Sequence, residues 1–319
     1  MLINGGMFMY RRKKRIPFLK YILLLVFIVI ICIVFYNTNI DYILNDSFES
    51  NASSHFIPNN SEKLFFYVMS TGNSDCVLII DPNGYTMLVD AADDEDFYII
   101  KNTLDKYKVS KINMLVATHS HADHIGAMDD IIKSYEVDSV YITEDFLDDS
   151  KSVEDMLGAI ESSGIPIVHA DSGMKFALGD ASVNILGPNE GNLNDDANNK
   201  SIVLMVSYNQ MDFLLTGDME EEESREILDK WGKNVDCEVL KVAHHGSETG
   251  TTRAFLEAAS PQIAVISCGK NNPYGHPSEE TLSLLDEFGA KTLRTDLMGD
   301  IAILTDGMEI EVYEEYKIS

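Results

Sequence analysis

A chain of 319 residues with 45% hydrophobic side chains has room for one large domain or two small ones and excludes a wholly disordered protein. The first forty residues hold six of the 24 Lys and Arg and none of the 52 Asp and Glu, so everything after them carries a formal charge of −34. An acidic body of this kind repels polyanions at long range, which argues against sequence-independent nucleic-acid binding through a basic stripe.

Residues 1–15 form a basic head that ends in the run Arg11, Arg12, Lys13, Lys14, Arg15. Residues 16–36 follow as an apolar stretch interrupted only by Lys20. A stretch of about twenty apolar residues is what a helix needs to cross the hydrocarbon core, and a lysine near its end can snorkel. The positive-inside rule then places the N-terminus in the cytoplasm and the acidic body outside, as a single-pass protein of the cell membrane. A cleaved signal peptide has the same basic-then-apolar order, but Asn37, Thr38 and Asn39 lack the small-x-small pattern of a cleavage site, so an uncleaved anchor is expected.

Residues 37–63 are rich in Asn, Ser and Asp and read as a stalk of low order, with one folded domain over 64–319. That domain opens as a β-meander: strands over Leu64 to Ser70, Cys76 to Asp81 and Thr86 to Asp90, with Pro82-Asn83-Gly84 as hairpin chemistry. An alternating pattern follows. Helices are expected near Phe97 to Tyr107, from about Asp123, and over Val153 to Ser163, Glu220 to Trp231, Thr252 to Ala259 and Ser278 to Phe288. Strands are expected over Ile112 to Ala117, Ser139 to Thr143, Ser182 to Leu186, Ile202 to Tyr208, Asp212 to Thr216, Cys237 to Val242, Ile263 to Ser267 and Ile301 to Thr305. Hairpins mixed with strand–helix units imply two sheets with helices outside them. The four cysteines form no CxxC pair, which signals neither a thiolate metal site nor a disulfide framework; Cys76, Cys237 and Cys268 read as small buried hydrophobes.

The sharpest local signal is Thr118-His-Ser-His-Ala-Asp-His-Ile-Gly126, directly after an apolar strand. Residues two apart in extended chain project to one side, so His119 and His121 can converge on one ion. Asp123 and His124 stand where a helix begins and suit a second. Imidazole and carboxylate are the ligands that Zn²⁺ and similar cations take, and two ions about 3.5–4 Å apart polarise a substrate and generate a hydroxide nucleophile.

This motif resembles the HxHxDH signature of the metallo-β-lactamase superfamily. Leu214-Leu-Thr-Gly-Asp218 and Leu240-Lys-Val-Ala-His-His-Gly-Ser247 match later motifs of that superfamily, and Gly269-Lys-Asn-Asn-Pro-Tyr-Gly-His-Pro-Ser278 is similar to a segment of ComEC-type competence metallo-hydrolase domains and related phosphorylcholine esterases. The resemblance implies an α/β fold, the αββα sandwich, here behind one N-terminal transmembrane helix. It implies two divalent ions, Zn or Mn, held by His119, His121, Asp123, His124 and Asp218, with Asp218 bridging. One of His244 and His245 completes the metal set and the other faces the substrate; His244 is assigned to the metal and His245, with Asp123 and His276, to the catalytic group, although the sequence does not decide between the pair. His276 contacts substrate or protonates the leaving oxygen, or is a loop histidine beside a turn-forming proline. Two departures stand out. The extra histidine ligand common in the superfamily is absent, since only His169 lies in that interval and Asn198-Asn199-Lys200-Ser201 occupies its place. The usual Asp-Val-Gly-Gln-Gly-Asp opening reads Ser70-Thr-Gly-Asn-Ser-Asp75, which leaves Asp75 to orient a ligand histidine or simply to make a turn.

The expected activity is hydrolysis of a phosphodiester or related phosphoester outside the membrane by a metal-bound hydroxide. The substrate is a small molecule, a wall polymer or a nucleic acid, and no protein partner is identifiable. An extracellular nuclease and a non-catalytic metal-binding sensor or scaffold are the alternatives.

Overall fold

The computed structural model describes residues 62–144, 146, 149–189 and 196–315. The expected basic head, the anchor and residues 37–61 of the stalk lie outside the described residues, among which no helix is long and apolar enough to cross a membrane.

Strands β1 (Leu64–Val68), β2 (Val77–Ile80) and β3 (Thr86–Val89) form the expected antiparallel meander. Asp81 closes its hairpin by accepting from the Asn83 and Tyr85 N–H groups at 3.0 and 2.7 Å, the carboxylate standing in for a backbone turn. The chain then alternates through α1 (Phe97–Lys106), a short β4 (Lys111–Ile112), β5 (Met114–Val116), α2 (Ala122–Ile125), α3 (Met128–Ser134), a short β6 (Glu136–Val137), β7 (Val140–Ile142), α4 (Lys151–Ser163) and β8 (Ile167–His169). Because each of β5, β7 and β8 is reached through a helix, the pairings β3–β5, β5–β7 and β7–β8 are parallel.

The second half repeats the scheme. Strands β9 (Lys175–Leu178), β10 (Ala181–Gly187), β11 (Val203–Tyr208) and β12 (Met211–Leu215) are antiparallel neighbours. Then α5 (Glu221–Trp231), β13 (Val239–Lys241), α6 (Arg253–Ala259), β14 (Ile263–Ile266), α7 (Glu279–Glu287) and β15 (Lys291–Arg294) extend that sheet in parallel. After α8 (Thr295–Met298) the chain returns to the first sheet as β16 (Asp300–Thr305) and β17 (Ile310–Glu315). The orders are β17-β16-β1-β2-β3-β5-β7-β8 and β15-β14-β13-β12-β11-β10-β9.

Period-two alternation sorts the side chains into layers. Phe66, Val68, Ile79, Val89 and Val116 meet Val183, Leu204, Phe213, Val239 and Val265 between the sheets, where Phe66 and Phe213 stack with centroids 5.0 Å apart. The alternate residues Phe65, Leu78, Leu88 and Leu115 face outward against Ile100, Met128, Met156 and Ile160 of the helices. Leu214, Leu240 and Ala264 do the same against Ile227, Phe255 and Leu285. The result is the αββα sandwich. Helix starts are capped by side chains, Ser150 for α4, Thr252 for α6 and Ser278 for α7, each accepting the N–H three residues on.

Two expectations are corrected. The strand expected over Ile112 to Ala117 is split into β4 and β5. The helix expected from Asp123 is two short helices that meet at Gly126 and Ala127, because the chain there presses on the turn after β3: a Cβ on Gly126 would come within 2.4 Å of the Asp94 nitrogen.

Candidate metal centre

The C-terminal ends of the parallel strands from both sheets meet at one edge of the sandwich, and the polar residues follow them directly. Beyond β3 stands Asp90, beyond β5 the segment from Thr118 to His124, beyond β12 Asp218, and beyond β13 His244 and His245.

Asp90 pins the His-rich loop. Its Oδ1 accepts the Thr118 N–H and its Oδ2 the Thr118 hydroxyl, both at 2.8 Å, and Oδ2 also accepts from His124 Nδ1 at 2.8 Å. A carboxylate can only accept, so Nδ1 carries a hydrogen, and the nitrogen that offers a lone pair once the ring gives up its other proton is Nε2. His245 is fixed the same way by a backbone carbonyl, Ser267 O at 3.2 Å from Nδ1. Both Nε2 atoms are buried without a hydrogen-bond partner, as is Asp218 Oδ1. They face one another: His124 Nε2 is 3.3 Å from Asp218 Oδ1, and His245 Nε2 is 3.6 Å from Asp218 Oδ2 and 3.4 Å from Asp123 Oδ2. Asp123, His124, Asp218 and His245 each offer a donor atom within 4.8 Å of the others. His119 Nε2 lies 4.0 Å from Asp218 Oδ2 and 3.1 Å from His121 Nδ1.

His244 sits further out. It is a quarter exposed where His245 is nearly closed off, its Nε2 is 3.8 Å from Asp218 Oδ2, and its Nδ1 is 3.2 Å from Glu220 Oε1, which Thr249 also holds at 2.9 Å. Both histidines adopt left-handed backbone, φ 49° and 53°, a conformation that costs roughly 1–3 kcal/mol and gathers at functional sites. His276 faces His244 with ring centroids 5.7 Å apart.

The electrostatics call for cations. Asp75, Asp90, Asp123 and Asp218 converge here against a single buried ammonium, Lys241, whose Nζ is 2.7 Å from Asp75 Oδ2. Burial opposes the charge on Asp218, yet His124 and His245 hold its carboxyl well below the usual range. Burial likewise resists ionisation of Asp123, but the neighbouring His245 and the charge of His124 bring it down to about 2. Imidazole nitrogens and ionised carboxylate oxygens that converge, buried and without hydrogen-bond partners, are the donor set of a divalent cation, which displaces the imidazole protons as it binds.

Every residue expected at the metal is therefore brought to this edge, with His245 rather than His244 inside the tight group. Asp90, Lys241 and Glu220 were not foreseen; an acid ending an apolar strand at Asp90 was the one available signal. Asp75 lies 3.7 Å from His245 Nδ1. His169 ends the edge strand β8, exposed. Asn198–Lys200 form a short turn, after which Ser201 Oγ accepts the Asp218 N–H at 3.1 Å, so this segment braces the carboxylate from behind. Cys76, Cys237 and Cys268 are buried and free.

A model of the metallo-β-lactamase superfamily matches residues 69–270, and the chain belongs to that superfamily. It is 34% identical over 193 residues to ComE operon protein 3 of Bacillus subtilis, a stretch that covers 60% of this chain and 24% of that protein. Competence protein ComA of Neisseria gonorrhoeae is 42% identical over 106 residues, 33% of this chain and 15% of ComA. Recombination protein 2 of Haemophilus influenzae is 31% identical over 116 residues, 36% of this chain and 14% of that protein. The chain spans less than a quarter of each of these relatives. Fold and donor cluster together define a candidate dinuclear metal site.

Proposed function

We propose that the chain is a metal-dependent phosphoester hydrolase, held at the cell membrane by residues 16–36 with the basic head 1–15 in the cytoplasm and the domain 64–319 outside, beyond the stalk 37–63. The observation that carries the chemistry is the pair of buried, unpartnered Nε2 atoms of His124 and His245, aimed at the Asp218 carboxylate. In this reading His119, His121 and Asp218 hold one Zn or Mn ion and Asp123, His124, His245 and Asp218 the other, so His245 is a ligand and His244 faces the substrate, the reverse of the sequence-based assignment. Two such ions supply Lewis-acid polarisation of the ester and acidify a water.

The protein's own groups do the rest. Asp90 and Ser267 fix which ring nitrogen of His124 and His245 is free. Glu220 and Thr249 hold the His244 ring at the rim, where it meets a phosphoryl oxygen. Burial, with His244 and His245 beside it, pulls His276 below the ordinary histidine value, so near neutral pH it is an uncharged ring that donates its N–H to the ester oxygen instead of a proton.

A second reading, a nuclease, draws support from the competence and recombination names of the relatives and is opposed by the −34 charge of the body. The test is turnover of bis(p-nitrophenyl) phosphate by the full chain in detergent with Zn²⁺ or Mn²⁺, beside an Asp123→Ala control. Turnover lost in the control supports the hydrolase. Full metal loading without turnover above the control rules out a general phosphodiesterase, and a steep loss of activity with salt on DNA but not on the small ester would shift the reading to a nuclease.

A further inference from the structure

The segment after β14 carries the His276 ring and, two residues earlier, Tyr274, whose side chain is 73% exposed. A large ring left in water forgoes hydrophobic stabilisation, and on a loose loop that would mean little. This loop is held. At its start the Gly269 N–H donates to Asn73 Oδ1 at 3.0 Å, so close that a Cβ on Gly269 would come within 2.5 Å of that oxygen. At its end the Ser278 N–H donates to Gly246 O at 2.9 Å, beside the metal-facing histidines, and Pro277 packs where a Cβ on Gly246 would reach. In between, the Tyr274 N–H donates to Asn272 Oδ1 at 2.8 Å.

Held this way, Tyr274 and His276 have ring planes within 19° of one another and centroids 6.1 Å apart. His276 is in turn 5.7 Å from His244, whose Nε2 faces Asp218. A strip of rings thus runs from the reacting centre outward and ends in a tyrosine open to solvent. The outer pair is near parallel while the inner pair, His276 and His244, is tilted by 56°, so the flat face the strip offers lies at its Tyr274 end, where a planar group can stack.

We propose that Tyr274 is a specificity-determining residue that stacks, with His276, on a planar aromatic ring carried by the substrate at about one sugar's length from the phosphorus. This rests on the phosphoester reading above and names the substrate class within it. Stacking of a planar base on an aromatic side chain is worth about 1–3 kcal/mol, roughly a 5- to 150-fold change in a dissociation constant.

The test is competitive binding to the metal-loaded full chain of adenosine 5′-monophosphate and ribose 5-phosphate, which differ only in the planar heterocycle, with phosphocholine as a third probe. Wild type is expected to bind the adenosine ester more tightly than the sugar phosphate by a factor in that range. Tyr274→Ala should erase the difference while leaving ribose 5-phosphate affinity unchanged, and Tyr274→Phe, which keeps the ring, should retain it. Equal affinity of wild type for the first two probes overturns the proposal, as does a preference for phosphocholine that Tyr274→Ala removes, which would assign the ring to a cation. Failure of all three to bind would instead count against the phosphoester reading itself.

Discussion

Stripping the metal ions should cost the protein more stability the higher the pH, and the size of the effect follows from the donors. In the metal-free centre burial opposes a charge on His124, but Asp218 and Asp90 outweigh it and raise the ring well above the ordinary value of 6.5. His245 is raised too, burial again being overcome, here by Asp218 and Asp75. A histidine raised on folding contributes stability that is complete below its unfolded pKa and is lost as the pH climbs through the folded one. The stripped protein therefore weakens as the pH rises above 6.5. The loaded protein gains stability as the pH rises toward 6.5 and is level above it, because these rings bind metal only when neutral and loading expels their protons. Each proton is worth about 1.4 kcal/mol per pH unit. Two of them widen the gap between loaded and stripped protein by up to about 2.7 kcal/mol per unit at fixed free metal, a melting-temperature separation growing by roughly 5–10 °C in a domain of this size. Calorimetric scans from about pH 6 to 8, in buffered free Zn²⁺ and in chelator, measure it. A separation that stays constant with pH would refute the assignment of His124 and His245 as donors, and no separation at all would refute the metal centre.

Lys241→Met leaves Asp75 buried beside an apolar chain and should destabilise the fold by about 3–5 kcal/mol in urea titrations, with most of the loss recovered when Asp75→Asn is added; equal loss in single and double variants would deny the pair. Burial raises the carboxyl of Glu223, at 0% exposure, well above its usual value, so its contribution is complete at low pH and lost as the pH rises through the raised value. Glu223→Gln should accordingly gain at least about 1.4 kcal/mol over wild type in mildly alkaline urea titrations and converge with it near the ordinary glutamate value. Phe213→Ala opens the layer between the sheets opposite Phe66 and should cost about 3–5 kcal/mol, read as a shifted denaturation midpoint with unchanged slope.

The central elements were legible because their environment matches their pattern. Strands such as β1, β11 and β14 lie between two apolar layers and read as continuous hydrophobic runs, while α4 and α5 carry apolar residues at helical spacing. What escaped lies at the edges. In β9, Lys175 and Ala177 face water, and in β15 the ends Lys291 and Arg294 are polar, so neither shows a run or a clean alternation; the sequence of β17 is interrupted by Glu311, Glu314 and Glu315. The donor cluster was legible because histidine and aspartate clustered within six residues have few other uses. The supports were not. Lys241 looks like any strand lysine until β13 is seen to end beneath Asp75, 166 residues away, and Glu220 is one of four consecutive glutamates whose role depends on where His244 falls. That His244 lies at the rim and the next ring, His245, inside the donor group goes with the left-handed backbone both share, a property of the turn and not of either residue.

The position of the centre ties its chemistry to the integrity of the fold. His119, His121, Asp123 and His124 follow the first sheet, Asp218 and His245 the second, and the Lys241–Asp75 pair also crosses between them. The apolar layer holds the sheets together along most of their length, but at this edge it gives way to like-charged carboxylates with one ammonium among them. Cations bound at that edge would join the two sheets as well as serve the proposed reaction, so a change at a candidate donor such as Asp218 is expected to weaken metal binding, activity and thermal stability together. A change at Tyr274, which touches neither sheet's donors, must separate them, altering which ester is bound while metal affinity and melting temperature stay where they were.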